Sequence, residues 1–101
     1  MRTKLLIAGV CSILAGIGTA QADGDAAAGE AKAAMCGGCH GADGKGVEPN
    51  PPLTGLEPAY FVEQLQAYKS GARPHDMMKS MVSALSDEDM ADLAAYYATL
   101  Q

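Results

Sequence analysis

Cys36-Gly37-Gly38-Cys39-His40 decides how this chain of 101 residues is read. Two cysteines three positions apart, with a histidine directly after the second, form the attachment pattern of a c-type haem. On one helical turn each thiol can form a thioether to a haem vinyl group. The next residue then lies beneath the iron, where its imidazole can serve as proximal ligand. Gly37 and Gly38 carry no side chain, so a flat porphyrin edge can approach the backbone. Three other readings compete. A redox disulfide usually sits in a βαβ strand pattern, which is missing here. A closed zinc site needs four ligands, and no second Cys/His pair with finger-like spacing exists. The third is a chance pentapeptide. One covalently bound haem c per chain is the cofactor the pattern implies.

Residues 1–22 have the make-up of a secretory signal: Arg2 and Lys4 in a charged start, an apolar run over residues 5–17, and Ala20-Gln21-Ala22 as an A-x-A cleavage site. The apolar run is too short and too glycine-containing for a transmembrane span, and Ala8-Gly9-Val10 before Cys11 is a poor lipobox. The expectation is export to the periplasm, with no stable membrane insertion after cleavage. The mature chain, residues 23–101, is then one domain whose two remaining cysteines both lie in the motif, so no separate disulfide framework is available. A chain this small needs a staple, because its own apolar core contributes little net stability. A covalently held haem is such a staple, and Tyr60, Phe61, Tyr68, Tyr96 and Tyr97 are too few aromatics to fill an ordinary core.

Charge narrows the partners. Once Arg2 and Lys4 leave with the leader, 12 acidic residues face 5 basic ones, a formal −7. No basic patch exists for nucleic acid, and anionic lipid would repel the surface. Plain solubility accounts for such a balance, and so does docking onto a basic patch of a redox partner.

Helix signals recur along the mature chain. Residues 23–35 are alanine-rich, with Asp25 as a plausible N-cap, and this helix should run through Cys36 to end near His40 and Gly41. Gly29 in its middle costs up to ~1 kcal/mol relative to alanine, which points to a close helix crossing, with Tyr96 as the candidate neighbour. Residues 41–55 are rich in Gly, Pro, Asp and Asn and read as a loop, one of whose carbonyls would accept from the second nitrogen of His40. Residues 57–70 form a second helix, started by Pro58 and stopped by Gly71, with Phe61, Leu65 and Tyr68 on one stripe. A shorter helix is expected over 76–84. Around it Met77, Met78, Met81 and His75 are all candidates for the second axial ligand; in a haem-free protein the methionines would be adaptable core. The last helix spans 86–100, with Ser86 and Asp89 as a capping box and Met90, Leu93, Tyr97 and Leu100 facing inward. No strand-like alternation occurs, so the fold class is all-α.

With these pieces in place, residues 23–101 closely resemble the small soluble bacterial class I cytochromes c. The resemblance is carried by Cys36-Gly37-Gly38-Cys39-His40-Gly41-Ala42-Asp43-Gly44, by Tyr60-Phe61-Val62-Glu63-Gln64-Leu65, and by the run from Leu85-Ser86-Asp87-Glu88-Asp89-Met90 to Ala95-Tyr96-Tyr97. It implies about four helices wrapped around one haem, with Cys36 and Cys39 as thioether attachments and His40 as proximal ligand. Family register, eight residues before the serine that opens the last helix, selects Met78 as distal ligand, with Met81 next and Met77 third. A His/His state through His75 would lower the potential. Pro51, in Pro51-Pro52-Leu53-Thr54-Gly55, takes the place of the residue whose carbonyl faces His40. Gly29 against Tyr96 matches the family's crossing of first and last helices. Arg73 is a candidate propionate contact, or a solvated side chain.

The resulting expectation is a non-enzymatic electron carrier, because iron with both axial positions filled has no site for substrate. It would meet redox partner proteins through a small transient interface. Two alternatives stay open: a haem subunit of a specific redox enzyme, joined through a permanent apolar interface, and a haem catalyst or gas sensor with an open distal position.

Overall fold

The computed structural model describes residues 24–100, so the leader expected at 1–22 lies outside the described residues. Four helices follow one another: α1 Ala26–His40, α2 Pro58–Ser70, α3 Asp76–Val82 and α4 Asp87–Ala98. The fold is all-α; the only β pairing among the described residues is an isolated bridge between Val47 and Asn50.

Local chemistry sets most of the boundaries. The Asp25 carboxylate accepts from the N–H groups of Ala27 and Ala28, which fixes the start of α1. Gly41, at φ +90°, ends it. Pro58 opens α2, and Gly71 closes it in the left-handed region at φ +87°, its N–H shared by the carbonyls of Ala67 and Tyr68. In α4 the Ser86 hydroxyl accepts from Asp89 N–H at 3.1 Å, and the Asp89 carboxylate accepts from Ser86 N–H at 3.0 Å. This is the reciprocal cap its sequence spells. The third helix is shorter than the expected 76–84. It stops at Val82, where a tight turn hands Leu85 N–H back to the Val82 carbonyl at 3.0 Å.

The core lies where α4 packs against α1 and α2, and Phe61, Leu65, Tyr68, Met90, Leu93 and Tyr97 are all buried in it. Phe61 stacks on Tyr97 with ring centroids 5.6 Å apart. Leu100, expected on the inward stripe, falls beyond the end of α4 and is only half-buried.

The crossing of α1 over α4 is closer than the aromatic contact expected from sequence. A Cβ placed on Gly29 would stand 2.0 Å from the Asp92 carbonyl oxygen and 2.8 Å from Tyr96 Cβ. One placed on Gly24 would stand 1.9 Å from the Ala91 carbonyl oxygen. Two helical backbones therefore touch with nothing between them, and Tyr96 is the second neighbour rather than the first. Beside the crossing lies the buried carboxylate of Asp92, 4% exposed. It accepts from Asp25 N–H at 2.8 Å and from Lys32 Nζ at 2.7 Å, while Lys32 also reaches Asp89 at 2.7 Å. Hydrogen bonding to Lys32 holds the Asp92 carboxyl below its ordinary pKa, with the Asp25 amide adding to the effect. The same lysine takes Asp89 down to about 2. Lys32 is itself shifted upward by these two carboxylates.

Two outcomes follow. Gly29→Ala should lose about 1–3 kcal/mol in denaturant unfolding of the haem-loaded protein, the range for overpacking, although helix propensity alone would add up to ~1 kcal/mol. A gain in stability would mean that the helices do not touch there. As for pH, the two carboxylates titrate lower in the folded than in the unfolded chain, so their contribution is full above about pH 4 and drains away as pH falls towards 2. Asp92→Asn should therefore weaken the fold at pH 7 and flatten the loss of stability between about pH 4 and 2, measured by circular dichroism against denaturant at each pH.

Candidate functional site

The last turn of α1 carries Cys36, half-buried, Cys39, exposed, and His40, 7% exposed. An incoming loop, residues 41–55, folds under this turn. Its Gly46 N–H donates to the His40 carbonyl at 2.8 Å, and the Asn50 side-chain amide donates to the Cys39 carbonyl at 2.8 Å. Leu53 N–H closes the loop on the Gly44 carbonyl at 2.7 Å. Gly44 sits at φ +70°, and a Cβ there would meet the Tyr97 ring at 2.6 Å. The loop can thus lie flat on α4 only with glycine at that point.

His40 is oriented by this loop. Its Nδ1 lies 2.7 Å from the Pro51 carbonyl oxygen. A carbonyl can only accept, so the proton resides on Nδ1 and the lone pair on Nε2 is left for a metal. Burial pushes the Cys36 thiol above its ordinary pKa, a shift partly offset by a hydrogen bond with Tyr97. The buried Tyr97 hydroxyl is likewise raised, burial being the larger cause. Among the described residues no three His, Cys, Asp or Glu side chains gather into a metal cluster.

Cys36, Cys39 and His40 line one cavity of about 550 Å³, within the ~300–1,000 Å³ typical of cofactor pockets. Leu53, Leu56, Phe61, Leu65, Val82 and Leu93 give it apolar walls. The three methionines around α3 reach the same space: Met78 and Met81 half-buried, Met77 64% exposed. Among the described residues no carboxylate lines it. Arg73 stands at its edge, with Nη1 donating to Gln64 Oε1 at 2.8 Å and its guanidinium 4.7 Å above the Tyr68 ring. His75 also lines the cavity, but its Nδ1 accepts from Met78 N–H at 3.2 Å and serves as the N-cap of α3. A Cβ on Gly38 would meet nothing within 4 Å, and one on Gly37 only Ala42 at ordinary contact distance. No protein atom requires glycine there, and only Gly38 faces open space.

These residues fit a haem: a cavity with apolar walls, two thiols lining it, an imidazole with its free nitrogen available, and thioethers in the same space. A helical domain built in this way is a haem-holding protein of the c type. The family model for cytochrome c matches residues 26–101, and the chain belongs to that family. It is 51% identical over 83 residues to cytochrome c4 of Pseudomonas aeruginosa, which covers 81% of this chain and 41% of that protein. It is 48% identical over 80 residues to cytochrome c-554(548) of Halomonas halodenitrificans, covering 75% of this chain and 96% of the relative. Among solved structures, the thiosulfate dehydrogenase of Marichromatium purpuratum in its as-isolated form superposes with a TM-score of 0.71 at 36% identity, over 76% of this chain and 19% of that one. The chain spans less than half the length of the cytochrome c4 relatives it matches. Family membership gives it a covalently bound haem c.

Several residues that shape the site were not singled out from the sequence. Asp92 is one of four acidic residues between positions 87 and 92. Its position three residues after Asp89 and beside the inward Met90 and Leu93 was the available signal. Asn50 was one of many loop residues, and its donation to Cys39 depends on a turn that composition does not specify. Tyr97 was placed on the inward stripe, but its contacts with Gly44 and Cys36 are tertiary.

Proposed function

We propose that this domain is a periplasmic one-electron carrier whose haem c is attached through Cys36 and Cys39 and whose iron is held between His40 and Met78. One observation carries the reading: His40 is buried with Nδ1 committed to Pro51, while the half-buried Met78 opens into the same cavity. Two protein ligands close the iron, so the site is suited to electron exchange rather than to substrate. The haem supplies reversible one-electron chemistry when bound.

The remaining work belongs to the chain. The Pro51 carbonyl fixes the imidazole ring and raises its donor strength. A thioether favours ferrous iron and raises the potential relative to a second imidazole. His75 is poorly set to supply that imidazole, because its Nδ1 accepts from Met78 N–H and the ring proton of the neutral imidazole is then on Nε2, the nitrogen that would have to bind iron. Between the methionines, exposure argues against Met77, and family register favours Met78 over Met81. The apolar walls keep water from the iron, which is a second control on potential. Arg73, at the cavity edge and shared with Gln64, is positioned to meet a propionate. Export rests on residues 1–22 as a cleaved signal and 23–101 as the mature domain. None of the helices of the described residues is long and apolar enough to cross a membrane. Partners would be redox proteins met transiently, and the domain itself would not be an enzyme.

The likeness to part of a thiosulfate dehydrogenase favours one second reading, that of a haem module receiving electrons from a catalytic partner. The iron site would be the same and the interface permanent.

Met78→Ala tests the closed iron. The ferrous variant should bind carbon monoxide, and its potential should fall by at least ~59 mV, a tenfold change for a one-electron couple. Met81→Ala and Met77→Ala should retain the parent spectrum and potential in the same titration. If Met81→Ala alone opens the iron, Met81 is the ligand. If none of the three does, the iron is not closed by a methionine.

A further inference from the structure

Two side-chain hydrogen bonds between α1 and the following loop form a matched pair. Residue 39 is joined to residue 50, and residue 40 to residue 51: Asn50 Nδ2 donates to the Cys39 carbonyl at 2.8 Å, and His40 Nδ1 donates to the Pro51 carbonyl at 2.7 Å. The last carbonyls of a helix have no partner within it. At the end of α1 the His40 carbonyl is taken by a backbone donor, Gly46 N–H, at 2.8 Å. The Cys39 carbonyl is taken by a side chain. Pro49, Pro51 and Pro52, beside it in the loop, have no N–H to offer. The one backbone N–H in that run, that of Asn50, is spent on the Val47 carbonyl at 2.7 Å, and Val47 N–H returns to Asn50 at 3.2 Å. The turn is thus closed on itself, and the Asn50 amide ties it to the ligand-bearing helix one residue before the Pro51 acceptor.

We infer that Asn50 is a positioning residue for His40: its donation to the Cys39 carbonyl holds the 47–51 turn against α1 and keeps the Pro51 carbonyl in reach of His40 Nδ1. This rests on the reading of His40 as an iron ligand. A firmly held acceptor on Nδ1–H makes the imidazole a stronger donor and favours ferric iron. Releasing the turn weakens that donation, so the potential rises. A merely structural role for Asn50 would lower stability without moving the potential in a set direction.

The test uses the haem-loaded full chain and Asn50→Leu, which keeps side-chain size and adds no charge. In the reduced protein, proton NMR follows exchange of the His40 Nδ1 proton with deuterium. Asn50→Leu should speed this exchange about tenfold, the size of one net hydrogen bond, and should raise the potential. Unchanged exchange and potential overturn the inference. The wild type provides a second measurement should the variant fail to fold. One Asn50 amide proton should exchange slowly, and exchange of both at the rate of a free amide overturns it equally. The same spectra separate the two levels of the argument. If the His40 ring protons lack the upfield shift of an imidazole over a haem, the ligand reading has failed. If the shift is present and Asn50→Leu changes nothing, only the role of Asn50 has failed.

Discussion

Contact between the bare backbones of α1 and α4 at Gly29 and Asp92 is the constraint on which the rest of the domain depends. Two helices that touch through backbone can cross at one place only, because a Cβ on either side of that place would collide. The crossing fixes where α1 ends, and α1 ends in Cys36, Cys39 and His40. It also places Tyr97, five residues beyond Asp92 on α4, so that Gly44 of the loop and Cys36 of α1 lie against its ring and hydroxyl. The Lys32, Asp89 and Asp92 group adds a polar lock at the same place. All three side chains are paired, so the buried carboxylate is not left with an uncompensated charge.

What the crossing supports is a domain whose apolar side chains are arranged around a space as well as against one another. Phe61, Leu65, Val82, Leu85 and Leu93 belong both to the core and to the lining of the cavity. A chain of this size has little core to spare. Haem c in the cavity packs against these same side chains, and the group counts as part of the hydrophobic core. Absence of carboxylates from the lining, among the described residues, fits the same economy, since charge beside the iron would have to be desolvated.

Legibility in the sequence followed the range of the interactions. Caps and stops depend on residues a few positions apart, and Asp25, Pro58, Gly71 and the Ser86–Asp89 box all act where local chemistry places them. The Cys36, Cys39 and His40 motif is local too, and so the haem could be read from five residues. Helix α3 ended early because Val82 closes a turn with Leu85 that competes with one more helical turn. The contacts made across the chain were not legible: Gly24 against Ala91, Asp92 under Lys32 and Asn50 on Cys39 join residues whose spacing carries no periodic signal. Gly29 was half legible, since a glycine inside an alanine-rich helix announces a close neighbour without saying that the neighbour is a backbone carbonyl.

The central claim is a covalent haem whose iron is closed by the protein on both sides. It is tested most directly on the wild-type chain, by denaturing it to see whether haem stays attached, and by recording the reduced visible spectrum before and after carbon monoxide. The account expects haem that survives denaturation and a native spectrum that carbon monoxide leaves unchanged. Haem that washes out, or a native ferrous iron that takes up carbon monoxide readily, would contradict it.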